Sequence, residues 1–205
     1  MRTKRHTWSE GDVTRIISGI AGGRRLTAPT GAATRPTSDR VREGIFSRLE
    51  HFGVLGDAIV LDLYAGSGAL GLEAVSRGAV SAMLVERDRN AVGAARRNVA
   101  ELGWAHRVVV RADTVERTLM AGPTGERATV VFLDPPYDVP SDHVDDMLAL
   151  LVTHCWLAPD AVVVLERSSR SRPPVWPGGW EEAGDRRYGE TQVWWATVPP
   201  DDDGP

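Results

Sequence analysis

Residues 58–71 read Ala58-Ile59-Val60-Leu61-Asp62-Leu63-Tyr64-Ala65-Gly66-Ser67-Gly68-Ala69-Leu70-Gly71. The apolar run Ala58–Tyr64 suits a strand buried on both faces, because a half-exposed strand would alternate apolar with polar. Gly66, Gly68 and Gly71 then form G-x-G-x-x-G in a strand–turn–helix setting. Glycine there allows a sharp turn and a close approach of backbone to ligand. Twenty residues after Gly66, Glu86 ends a second apolar run, where an acid hydrogen-bonds ribose hydroxyls. The two signals predict a nucleoside-containing cofactor in the crevice beyond the strand ends. Nicotinamide enzymes and methyltransferases share the pattern.

Outward from this stretch the alternation continues. Apolar runs at Ser81–Glu86, Arg107–Ala112, Thr129–Asp134 and Ala161–Glu166 are separated by helical patterns. Those patterns fill about 69–78, 89–102, 114–121 and 142–153. Strands alternating with helices predict an α/β chain with a parallel sheet and helices on both faces. Upstream, Val41, Ile45 and Leu49 recur at helical spacing behind Thr37 or Ser38 as N-cap. Downstream, a Pro/Gly-rich loop over 172–179 precedes strands at about 180–188 and 191–198. At the other end, Ala21-Gly22-Gly23 reads as the turn of a β-hairpin over about 14–28 carrying Arg15, Arg24 and Arg25. The chain divides into a disordered leader (1–12), a hairpin extension (13–30), one main domain (31–198) and an acidic tail (199–205).

Composition narrows the classes. A chain of 205 residues, 42% hydrophobic and 25% charged, is an ordinary globular protein. No apolar run is long enough to span a membrane, and the basic N-terminus lacks the apolar core of a secretory signal. The cytoplasm is therefore the default compartment. Cys155 stands alone, which excludes an internal disulfide and predicts a small buried apolar residue. His6, His51, His106, His143 and His154 show no metal-ligand spacing, so no metal is expected. Trp176, Trp180, Trp194 and Trp195 read as core. The net charge of −4 hides an asymmetry. Residues 1–50 hold ten cations against five acids, and residues 51–205 hold fourteen against twenty-three. Positive charge gathered at one end suits contact with nucleic acid.

A second motif decides the reaction class. Asp134-Pro135-Pro136-Tyr137 follows the fourth strand. Two prolines stiffen the loop and remove backbone donors, leaving carbonyl acceptors facing out. Asp134 adds a carboxylate and Tyr137 a flat face. This set fits a planar base bearing an exocyclic amine and favours methyl transfer over hydride transfer. Asp113, ending the third strand, has two readings that both stand: acceptor for the cofactor's adenine amine, or N-cap of the next helix with Glu116 closing a capping box.

Five blocks occur in order: Arg15-Ile16-Ile17-Ser18-Gly19, Gly22-Gly23-Arg24-Arg25-Leu26, Arg35-Pro36-Thr37 through Asp39-Arg40-Val41-Arg42-Glu43 to Phe46, Asp62 to Gly68, and Asp134 to Tyr137. Over residues 13–198 the series resembles the RsmD-type family, bacterial enzymes that methylate N2 of one guanine in small-subunit (16S) ribosomal RNA. The resemblance implies a Rossmann-like class I methyltransferase with a seven-stranded, mostly parallel sheet and an N-terminal β-hairpin that grips RNA. It implies S-adenosyl-L-methionine held by Asp62, Tyr64, Ala65, Gly66, Ser67, Gly68, Glu86, Arg87, Asp113, Thr114 and Asp134. Catalysis would fall to Asp134, Pro135, Pro136 and Tyr137, and RNA to Arg15, Arg24, Arg25, Arg35, Thr37, Arg40 and Arg42. The expected partner is 16S ribosomal RNA, free or in an assembled small-subunit particle, met by a cytoplasmic monomer. The family begins near Val13, which makes Val13 a candidate first codon. Rival readings are an adenine-N6 methyltransferase on DNA or RNA, a nicotinamide-dependent oxidoreductase, and an RNA-binding module without catalysis.

Overall fold

The computed structural model describes residues 14–29 and 38–200. The expected leader, Arg35, Thr37 and the end of the acidic tail lie outside the described residues. The main domain runs α1 (Asp39–Phe52), β1 (Ile59–Leu63), α2 (Ala69–Ser76), β2 (Ser81–Glu86), α3 (Arg89–Leu102), β3 (Val108–Ala112), α4 (Val115–Ala121), β4 (Ala128–Leu133), α5 (Ser141–Thr153), β5 (Leu157–Ser168), β6 (Glu181–Tyr188) and β7 (Thr191–Thr197). Helix starts follow side-chain chemistry. Ser38 accepts from the Val41 amide to open α1, and Asp88 accepts from the Asn90 and Ala91 amides to open α3.

The seven strands form one sheet in the order β3-β2-β1-β4-β5-β7-β6. Strands β1 to β5 are parallel, and β7 runs antiparallel to both β5 and β6. Strand order reverses between β1 and β4, so the crevice past their carboxyl ends is the place where such sheets bind ligands. One face packs α1, α2 and α3 over Phe46, Leu84, Phe132 and Trp195, and the other packs α4 and α5 over Leu61, Leu63, Val131 and Val163. Trp194 and Trp195 are buried, and Trp176 stacks on Trp180 at 5.9 Å, half-buried against the second core. Among the described residues no helix is long and apolar enough to cross a membrane.

Two expectations need correction. Cys155 is exposed, not buried. It sits at φ 54° in the turn that ends α5, its amide donating to the Val152 carbonyl at 3.0 Å, so its side chain leaves the core. The N-terminal extension folds back on itself as a short hairpin, the Ile16 amide donating to the Arg24 carbonyl at 2.9 Å, Gly23 to Ile16 at 2.8 Å and Leu26 to Thr14 at 2.8 Å, but its arms do not form two regular strands. A single antiparallel bridge joins Arg15 to Arg25, and the apex is a 3-10 turn over Gly19–Ala21. The cause is competition for backbone groups. The buried Glu73 carboxylate on α2 accepts from the amides of Ile17 (2.6 Å) and Ser18 (3.0 Å). Ser76 Oγ accepts from the Ala21 amide and donates to the Ser18 carbonyl. Groups that would extend a ladder are spent on docking the extension along α2.

Glu73 also holds Arg77 Nε at 2.7 Å, and Arg77 lies over the Phe46 ring. Glu73→Ala leaves the buried Arg77 Nε and two amides without their acceptor, while Glu50 still holds Arg77 Nη1 at 2.7 Å. We expect a stability loss of about 3–5 kcal/mol, read as a lower urea midpoint. Glu73→Gln, which keeps an acceptor, should lose less than half of that.

Candidate active site

The turn after β1 is shaped by how close α2 comes to the sheet. A Cβ on Gly71 would stand 2.3 Å from Leu84 Cδ2, and one on Gly68 would stand 2.7 Å from Leu84 Cδ1 at a φ of 86°. Only glycine permits this contact, which aims the first turn of α2 into the crevice. Tyr64 turns the corner at φ 64°, a left-handed conformation that costs a bulky residue about 1–3 kcal/mol. The Ala65 amide donates to the Val85 carbonyl, fastening the turn to β2.

Two acids hold this loop from below. Asp62 Oδ2 accepts from the Gly71 amide at 2.8 Å, and the residue is 1% exposed. Burial pushes its pKa up to about 7; the Gly71 hydrogen bond opposes the shift, and the charges of Asp134 and Glu86 add to it. Glu86 Oε2 accepts from the Gly66 amide at 2.9 Å, and its Oε1 accepts from the Arg87 and Asp88 amides at 2.8 Å each. Glu86 therefore shapes the loop through three amide hydrogen bonds. Nothing lies within 4 Å of where a Gly66 Cβ would be, so the space beside the loop at that position is open.

At the end of β3 the Asp113 amide donates to the Glu86 carbonyl at 3.1 Å. Of the two readings of Asp113, capping is not what folds. Thr114 caps α4, its Oγ1 accepting from the Arg117 amide at 3.2 Å, and the Glu116 carboxylate lies 2.5 Å from His143 Nε2. The Asp113 carboxylate faces Arg117 at 3.5 Å and Arg111 at 3.9 Å.

The fourth strand end completes the mouth. Asp134 is half-buried, its amide 3.5 Å from the Leu63 carbonyl; Pro135 is buried, and Pro136 and Tyr137 are exposed. Arg167, at the end of β5, was not singled out by the sequence reading. Its Nη2 donates to the Val139 carbonyl at 2.6 Å, and burial lowers its pKa, offset by the nearby Tyr64, Asp134 and Asp145. It pins the far end of the D-P-P-Y loop. The signal available was a Glu166-Arg167 pair closing an apolar strand. Tyr64 packs on the α4–α5 side, its hydroxyl buried without a partner and its pKa pushed up to about 12 by burial and Glu116.

The proposed RNA contacts divide. Arg24 and Arg25 lie exposed on the extension and Arg40 at the start of α1. Arg15 pairs with Asp39 at 3.3 Å and stays exposed. Arg42 is fully buried, with Nη2 on Asp39 at 2.6 Å and Nε and Nη1 unpartnered, because position 42 falls on the core face of α1 with Val41, Ile45 and Phe46. An outward contact from Arg42 is corrected accordingly. A cavity of about 190 Å³ lies at the opposite end of the sheet under the 123–126 loop, away from the glycine and proline loops. Among the described residues no cluster of His, Cys, Asp and Glu could hold a metal.

Comparison with known proteins places this geometry. A family described as conserved hypothetical protein 95 matches residues 14–197. The ribosomal RNA small subunit methyltransferase D of Escherichia coli (strain K12) is 37% identical over 166 residues, which cover 81% of this chain and 80% of that protein. The solved structure of Escherichia coli yhhF superposes with a TM-score of 0.80 at 34% identity, covering 91% of this chain and 98% of that one. An RNA methyltransferase from Salinibacter ruber, solved in complex with S-adenosyl-L-homocysteine, shares the fold at a TM-score of 0.59 and 22% identity, covering 83% and 97%. With the family match running from the extension to the last strand, the chain belongs to this family, that of the RsmD-type methyltransferases.

Proposed function

We propose that the protein transfers a methyl group from S-adenosylmethionine to the exocyclic N2 of a guanine in small-subunit ribosomal RNA. The observation that carries this reading is the meeting, at one switch point, of the Asp62–Glu86 glycine loop and the Asp134–Tyr137 acceptor loop. The donor set fits the cofactor: an open glycine turn, Glu86 for ribose hydroxyls, and Asp113 for the adenine amine. When bound, the cofactor supplies an electrophilic methyl group.

The chain's own residues supply the rest. The N2 lone pair of guanine is delocalised into the ring, so the amine needs orientation more than deprotonation. The Asp134 carboxylate and Pro135 carbonyl accept its two hydrogens and aim the lone pair at the crevice, and as the new N–C bond forms one of those protons passes to the Asp134 carboxylate and on to solvent. Tyr137, 64% exposed, offers a stacking face to a base flipped from its helix. Arg167 keeps the loop at its station. Catalysis is then mainly positioning and charge placement. Arg15, Arg24, Arg25 and Arg40 take the RNA backbone, and a cytoplasmic monomer suffices, since every group named comes from one chain.

Three outcomes are expected. Asp134→Ala should lower the methylation rate about 100- to 1000-fold while S-adenosylhomocysteine still binds by calorimetry. Wild-type product, made on naked 16S transcript and on assembled small subunits and resolved by mass spectrometry, should be N2-methylguanosine; N6-methyladenosine would overturn the assignment. Reversing charge at Arg24 and Arg25 should weaken RNA binding and flatten its salt dependence, with cofactor affinity unmoved.

A fourth concerns Asp62. Its folded pKa of about 7 lies above the ordinary 3.8, so the folded state holds that proton more tightly. The stability it contributes is full below the ordinary value and is lost as pH rises through about 7. Asp62→Asn keeps an acceptor for the Gly71 amide and cannot ionise. The stability of wild type relative to Asp62→Asn, from urea midpoints, should therefore fall between about pH 4 and pH 7.

A further inference from the structure

Asn98 lies on the buried face of α3, among Ala94, Ala95 and Val99, and is 1% exposed. An amide in such a place must find partners, and it finds them on two separate parts of the chain. Its Oδ1 accepts from the Thr27 amide at 2.7 Å, and its Nδ2 donates to the Thr27 carbonyl at 3.1 Å. Nδ2 also donates to the Ser67 carbonyl at 3.0 Å. Both hydrogens of Nδ2 are thereby used. Ser67 is the middle residue of the Gly66–Gly68 turn, and Thr27 ends the extension that bears Arg15, Arg24 and Arg25.

We propose that Asn98 is a positioning residue that couples the RNA-bearing extension to the cofactor loop, so that each ligand tightens the other. The inference rests on the function proposed above. Its physical basis is that one amide closes two interfaces at once. If the Ser67 peptide shifts, an Nδ2 hydrogen loses its acceptor; if the Thr27 segment shifts, the same amide loses a donor and an acceptor. A buried polar group left unpaired is costly, so the two parts settle together. The distal extension is held independently by Glu73 and Ser76, toward the other end of α2. From Gly68 to Ser76 the helix rises about 12 Å, so contacts at the apex alone do not fix the loop. The loop, for its part, has room to respond, since the space beside Gly66 is open.

Coupling of this kind is reciprocal and commonly amounts to about 5- to 150-fold. The test is equilibrium dialysis of labelled S-adenosylhomocysteine, without and with small ribosomal subunits from a strain lacking the gene. Wild type should bind the nucleoside at least about fivefold tighter when subunits are present. Asn98→Ala should bring that ratio to near one. Thr27→Pro is the sharper variant: it removes the Thr27 amide donor and leaves the Asn98–Ser67 bond in place. Its affinity for S-adenosylhomocysteine alone should stay within about twofold of wild type while the ratio again falls to near one. A merely structural Asn98 would move the affinities or the stability and leave the ratio intact. A Thr27→Pro enzyme with the wild-type ratio, or a wild type with no ratio, overturns the proposal. A wild type that binds neither ligand overturns the function as well, which distinguishes the two failures.

Discussion

The contact between Gly71 and Leu84 sets the geometry on which everything else depends. Helix α2 can lie against β2 only where no side chain intervenes, and that closeness brings the Gly71 amide onto the Asp62 carboxylate. A carboxylate in so buried a position is costly to ionise. The fold accepts the cost because the same group orders the turn beneath the crevice. Glu86 does the corresponding work from β2, and Arg167 from β5. The site is thus three strand ends, each with one buried or half-buried ionic group that fixes the loop beside it.

Much of this was legible in the sequence, for identifiable reasons. The central strands showed as continuous apolar runs because both their faces are covered, and α3 was read over its observed span because Asp88 and Gly103 punctuate it clearly. The two ligand loops showed because glycine and proline are conspicuous where backbone geometry is special. What could not be read was where polar side chains in apolar surroundings would point. Asn98, Glu73 and Arg167 look like ordinary charged or polar residues until the partner strand or segment is known, and their partners lie 28 to 71 positions away. Arg42 failed in the opposite direction: it sits in a basic block, yet helical phase turns it inward.

The extension shows the same limit. Its glycine turn and flanking arginines predicted a hairpin, and local rules would have made a regular one. Glu73 and Ser76 take amides near the apex, so the backbone pairing of the two arms stays short and the segment also lies along α2.

The exposed Cys155 has a practical corollary. It is the chain's sole thiol and stands just before β5, at the end of the sheet remote from the glycine and proline loops. A maleimide dye would attach at one known position without crowding either loop. Fluorescence anisotropy of the labelled protein could then follow its capture by a particle as large as a ribosomal subunit, using the native sequence with no residue replaced.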